Sequence, residues 1–286
     1  MVKFWLKTGI AIVFRNAGKS FLVTQVCIVA GCGMRLLLNT RFNFLWIAPA
    51  LLLMSCNPAG RHFVATHSLN RVGAYPLQTL EPSGLCLSEN GHSLWTVSDS
   101  NGEISEISFE GAELRRLKTG LKDVEGVAAL GDSTLALILE RSREIVIVDL
   151  FGREKRRAPI DIQGLKNEGL EGIAFDRDGE VFYVLKEKSP GLLVVLNQDM
   201  EELSRHVLTF AMDYSSIEFE PVRKHLWVMS DESRSIHVFD LNLKQVASFD
   251  VNVRQPEGLA VDYKNKKIYV VSDNREKLYV FTFADY

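Results

Sequence analysis

Three glutamates, Glu125, Glu171 and Glu257, each stand before a glycine and an apolar run: VEGVA at 124–128, LEGIA at 170–174 and PEGLA at 256–260. Weaker echoes, PSGLC at 82–86 and SSIEF at 215–219, put Ser83 and Ser215 in the same register, with spacings of 42, 46, 44 and 42 residues. Carboxylates gathered by such a repeat repel one another: two charges ~10 Å apart at an effective dielectric of ~20 cost ~1.7 kcal/mol before screening. A raised pKa or a bound cation relieves that cost. With oxygen donors and no neighbouring His or Cys the ion is hard. Calcium is preferred to magnesium because loops offer several oxygens without strict octahedral geometry. The expectation is one calcium ion held by Glu125, Glu171 and Glu257, with Glu140 and Asp231 as auxiliary ligands.

The elements that position these acids follow from the period. A repeat of forty-odd residues points to propeller blades. Each unit has a short apolar strand (GVAAL, GIAF, GLAV), a second apolar run (SLWTVS, TLALIL, VFYVL, HLWVMS, KIYVVS), a third (EISEISF, EIVIVDL, GLLVVL, SIHVFDL, KLYVFTF) and a more polar fourth such as ELRRLKT or REKRRAPI. The second strands are near-continuous apolar runs, as expected of sheets covered on both faces, and the outer strands tolerate RR because one side meets water. This predicts an all-β chain, a five-bladed β-propeller of four-stranded antiparallel blades. The fifth unit ends at Phe283 with three strands, so an N-terminal strand within 71–78 is expected to complete it and close the ring; an open solenoid would leave edges that invite aggregation.

In that architecture the repeated EG and the end of each second strand open on one mouth. The second strands end in Asp99, Glu140, Asp231 and Asp273, with Lys186-Glu187 in the third unit. Asp after a strand commonly forms a turn with its own backbone, so Asp99, Asp231 and Asp273 are read first as turn residues. The glycine after each glutamate removes a Cβ where first strands converge on the axis.

VEGVA, LEGIA, FYVLKEK, LWVMSDES and PEGLAVD together resemble the SdiA-regulated domain family over about residues 77–283. The resemblance implies a five-bladed propeller, distantly similar to NHL-repeat proteins, with a calcium site, and it brings no enzymatic reaction.

Residues 34–55 have the parts of an export signal: Arg35 and Arg41, an apolar stretch from Phe44 to Met54, and Ser55 before Cys56. The end of the stretch resembles a bacterial lipobox, which implies diacylglyceryl transfer to Cys56 and a membrane anchor at the cell envelope. A plain signal peptide or a transmembrane anchor is the alternative. Met34 is read as the start, leaving 1–33 as an upstream extension, 56–70 as a tether and 71–286 as the propeller. The formal charge of −3 gives no reason to expect a nucleic-acid partner. The six histidines are scattered without zinc-ligand spacing. Only Cys86 lies in the body of the chain, so the propeller closes no internal disulfide.

Two functions fit. The first is a lipid-anchored, calcium-holding module that binds a protein or small molecule at the axial mouth. The second is a calcium-dependent hydrolase of the propeller lactonase or phosphatase kind, with Glu187 or Glu232 as its base.

Overall fold

A computed structural model describes residues 11–16, 19–24, 64–131, 133–165 and 167–286. The chain divides into two compact units, residues 1–60 and 61–286. In the first, Ala11–Asn16 pairs antiparallel with Lys19–Thr24. The expected export signal and Cys56 lie outside the described residues, among which no helix is long and apolar enough to cross a membrane.

The second unit is a five-bladed β-propeller. Blade 1 comprises Pro82–Leu87, Leu94–Ser98, Glu103–Ile107 and Glu113–Lys118; blade 2, Val124–Ala129, Thr134–Leu139, Glu144–Asp149 and Glu154–Pro159. Blade 3 comprises Leu170–Asp176, Val181–Lys186, Gly191–Asn197 and Glu202–Leu208; blade 4, Ser216–Glu220, His225–Ser230, Ser235–Phe239 and Gln245–Asp250. Blade 5 takes Pro256–Asp262, Lys267–Ser272 and Lys277–Thr282 from the C-terminal end, and Asn70–Pro76 is its outer strand. Closure is antiparallel, with Leu278 opposite Tyr75 and Tyr279 opposite Ala74.

Burial follows the sequence pattern. Every residue of the second strand of blade 4, HLWVMS, is buried, whereas blade 2's outer strand, EKRRAP, is exposed except for half-buried Ala158. The third-to-fourth hairpins share a turn chemistry that explains the recurring VDL and FDL. Asp149 Oδ1 accepts from the backbone N–H groups of Phe151 and Arg153, and Asp240 Oδ1 from those of Asn242 and Lys244. These aspartates sit away from the mouth because the third strand runs from the mouth to the opposite face.

The described residues form five buried clusters, one at each interface between neighbouring blades. Trp227 of blade 4 packs near Leu259 and Val270 of blade 5, and Leu85 of blade 1 near Tyr269 of blade 5. Stability is therefore distributed around the ring, each blade burying its faces against its two neighbours.

The segment expected to be a tether contains a strand. Thr66–Ser68 runs parallel to Gln245–Asp250 and adds a fifth strand to blade 4, with Thr66 Oγ1 3.1 Å from Ser248 Oγ. The N-terminal side of the propeller thus serves two neighbouring blades within eleven residues, Thr66 to Pro76.

Candidate functional site

The recurring EG is a β-bulge. In blade 3, Leu170 opposes Lys186 and Gly172 opposes the adjacent Leu185, so Glu171 is the extra residue. Glu257 stands likewise between Pro256 and Gly258, and Glu125 between Val124 and Gly126. A bulge leaves its extra residue outside the ladder and re-aims its side chain, here into the axial channel. The glycine that follows seats the bulge on the next blade. A Cβ on Gly126 would lie 3.1 Å from the Glu171 carbonyl oxygen, one on Gly172 3.0 Å from Ile217 N, and one on Gly258 2.2 Å from the Ser83 carbonyl oxygen.

Blade 4 solves the same contact differently. Ser216 stands where the other blades have glycine, pairs with Met229 without a register shift, and accepts the Leu259 N–H on its Oγ at 3.1 Å. Its neighbour Ser215 donates from Oγ to the Pro256 carbonyl at 2.9 Å. The two serines replace one bulge and one acid with hydrogen bonds to blade 5.

The channel opens into a cavity of about 360 Å³, and eleven of its fifteen lining residues are Asp or Glu. All five acids named from the sequence, Glu125, Glu171, Glu257, Glu140 and Asp231, line it, together with Asp99, Asp273, Glu187 and Glu232. Glu81, Asp213 and Asn167 also line it and went unrecognised in the sequence. Glu81 and Asp213 each lie two residues before an echo serine, a place held in the other blades by Asp123, Gly169 and Gln255. Position in the repeat was the one signal that pointed to them, and residue type obscured it.

The acids disturb one another. Burial and then the neighbouring Asp99 push the Glu125 carboxyl well up, and Asp99 shares a hydrogen bond with it. Burial first, then the charges of Glu125 and Glu257, does the same to Glu171. Glu257 is pushed up to about 8 by burial, Asp231 and Asp273. Glu140, Asp231 and Asp273 are raised as well, each chiefly by burial.

Asp99 is therefore a member of the acid group rather than the turn former the sequence suggested. Its turn is held by other atoms: Asp99 N donates to the Glu81 carbonyl at 3.1 Å, Gly102 N to the Ser98 carbonyl at 2.9 Å, and Ser98 Oγ lies 3.0 Å from Ser100 Oγ. Asp213 does act locally, accepting from Ser230 Oγ and from the Glu232 N–H at 3.1 Å.

Lys188 is the cation among the lining residues. Its Nζ is 2.6 Å from Glu187 and 3.4 Å from Glu232, bridging blades 3 and 4 at the rim. Beneath it, Lys186 is fully buried and its Nζ donates to the carbonyls of Lys188 and Pro190, which fixes the loop carrying Lys188. The acids are spread around the channel. Among the described residues no group of three or more His, Cys, Asp or Glu side chains stands ready to hold a metal ion. The donor chemistry suits a hard cation, but the side chains would have to draw in around it.

The architecture has distant counterparts. A glutaminyl cyclase of Myxococcus xanthus superposes with a TM-score of 0.60 at 14% identity, over 78% of this chain and all of that one. A chain of a nidogen/laminin complex superposes with a TM-score of 0.51 at 15% identity, over 67% of this chain and 72% of that one. At such identities the likeness is one of fold. The family model described as SdiA-regulated matches residues 69–282, from the closing strand to the last strand of blade 5. The chain belongs to the SdiA-regulated family.

Proposed function

We propose that this protein is a binding or scaffold module of the bacterial cell envelope, anchored by lipid on Cys56 and holding a calcium ion at the axial mouth. The observation that supports the site is the set of bulge-borne glutamates, Glu125, Glu171 and Glu257, which share one channel and are held towards their protonated forms by burial and mutual repulsion. A divalent cation replaces those protons and removes the repulsion. Anchoring is supported by the order of basic, apolar and small residues before Cys56. The hydrolase reading has less behind it, because Glu187 and Glu232 are both paired with Lys188 and neither stands apart as a base.

Calcium at about 100 times its Kd stabilises a folded state by ~2.7 kcal/mol, a rise of roughly 5–10 °C in melting temperature for a domain of this size. Chelator-treated protein is expected to show that rise on adding calcium, and Glu171→Gln to lose most of it. Equal melting temperatures with and without millimolar calcium, with no heat of binding, would sink the metal reading. Palmitate labelling in a bacterial host is expected for the parent chain and a chain begun at Met34, and lost in Cys56→Ser.

A further inference from the structure

The acid well carries more charge than one ion removes. A divalent cation and Lys188 offset three charges among eleven carboxylates, and the protons held by the raised carboxyls offset only part of the rest. The loops that carry lining residues also expose large apolar side chains to water. Leu80 directly precedes the lining residue Glu81 and is 51% exposed; Met212 directly precedes Asp213 and is 69% exposed; Leu165, two residues before Asn167, is 62% exposed. Single exposed apolar residues are ordinary. Three lie on loops that carry lining residues of one mouth, and exposed apolar side chains beside a binding site are a pattern of interaction surfaces.

The fold does not demand them. Leu80 and Met212 lie three residues before an echo position, where blades 2 and 5 carry the exposed Lys122 and Arg254. The backbone at two of the three apolar residues is held in place: Met212 N donates to Ser233 Oγ at 3.0 Å, and the Leu165 carbonyl accepts from Arg143 Nη2 at 3.1 Å. These two are presented on fixed backbone beside a polar, negatively charged centre.

We propose that this face docks a protein partner through a protruding loop that carries an arginine or lysine between apolar residues. The basic group enters the acid well, and its apolar neighbours cover Leu80, Leu165 and Met212. Charge complementarity selects this occupant. An anionic membrane surface is repelled by the well, and a fully hydrated polycation leaves the apolar rim in water. The proposal rests on the binding-module reading and names the partner's chemistry.

The test uses the full chain, titrated calorimetrically with three probes: a capped peptide of three arginines alternating with leucines, the same peptide with glycine for leucine, and spermidine. The leucine–arginine peptide is expected to bind about tenfold more tightly than the glycine–arginine peptide, since burying leucine side chains is favourable. Leu80→Ser combined with Met212→Ser should bring the two peptides within about threefold of each other. Both positions are exposed, so the melting temperature and its response to calcium are expected to stay unchanged. Equal affinities for the two peptides, spermidine binding as tightly as the leucine–arginine peptide, preferential binding to phosphatidylglycerol vesicles, or no binding at all would each overturn the proposal. Calcium is measured on the same samples: a calcium shift without peptide preference sinks the docking face alone, and peptide preference without a calcium shift sinks the metal reading alone.

Discussion

Glu257 sets a direction for the response to pH. Its carboxyl ionises near the ordinary value of 4.5 when the chain is unfolded and near 8 in the fold, and Glu125 and Glu171 shift the same way. Between those values the folded state holds protons that the unfolded state has released, so stability falls as pH rises across that window. The melting temperature without calcium is therefore expected to decline from about pH 5 to pH 9, as stability falls by an amount on the order of a few kcal/mol. Glu257→Gln removes part of the slope and should melt higher than the parent at pH 8 while losing most of the calcium shift. A flat profile between those limits would count against the acid cluster as a source of strain. Calcium binding at pH 7 should release protons, seen as a dependence of the calorimetric heat on buffer ionisation enthalpy. Asp99→Asn is expected to weaken calcium binding, because Asp99 bonds to Glu125; a residue that only formed a turn would lower stability and leave the calcium response in place. The acids of the mouth were legible where residue type and register agreed, as at Glu125 and Glu171. They were hidden where only register marked them, as at Glu81 and Asp213, and Asp99 was misread because the turn's actual hydrogen bonds come from backbone and serine atoms that sequence does not assign.

The inner strand couples site to scaffold through its bulge. Gly258→Ala places a methyl 2.2 Å from a backbone oxygen of blade 1, which cannot rotate away. The expected loss is ~1–3 kcal/mol or more, with blade 5 displaced from blade 1. Ser216→Ala is the complementary case: it removes the acceptor for the Leu259 N–H at a buried position, at ~1–3 kcal/mol. Denaturant unfolding measures both, and a neutral Gly258→Ala would show that the inner strands have slack. The four-strand script and the closing strand were readable because apolar runs and turn residues repeat at a fixed period. The bulges were not, since an EG pair reads the same whether its glutamate lies inside or outside a ladder. Thr66–Ser68 escaped too: three residues are too few to show alternation, and its parallel partner is the outer strand of another blade.

With five interfaces and a shared closing blade, the second unit behaves as a ring whose chain break is a matter of connection. His67 and Tyr286 approach to 6.3 Å between ring centroids, and Asn70 opposes Thr282, so the two ends of the propeller meet. A circular permutant that joins Tyr286 to Ala65 through a short linker and opens between blades 1 and 2 is expected to melt within a few degrees of the parent, as permutation at exposed loops usually allows. A large loss would show that the parallel strand at Thr66–Ser68 needs a free end. The same closure orders events during synthesis. Asn70–Pro76 leaves the ribosome before the strands of blades 1 to 4 and its partner Lys277–Thr282 after them. At ~5–20 residues per second the early strand waits roughly 10–40 s with an open edge. Its composition suits the wait: Asn70, Arg71, Gly73 and Pro76 make a poor template for pairing with another nascent chain. The half-made ring thus exposes for longest an edge ill suited to pairing.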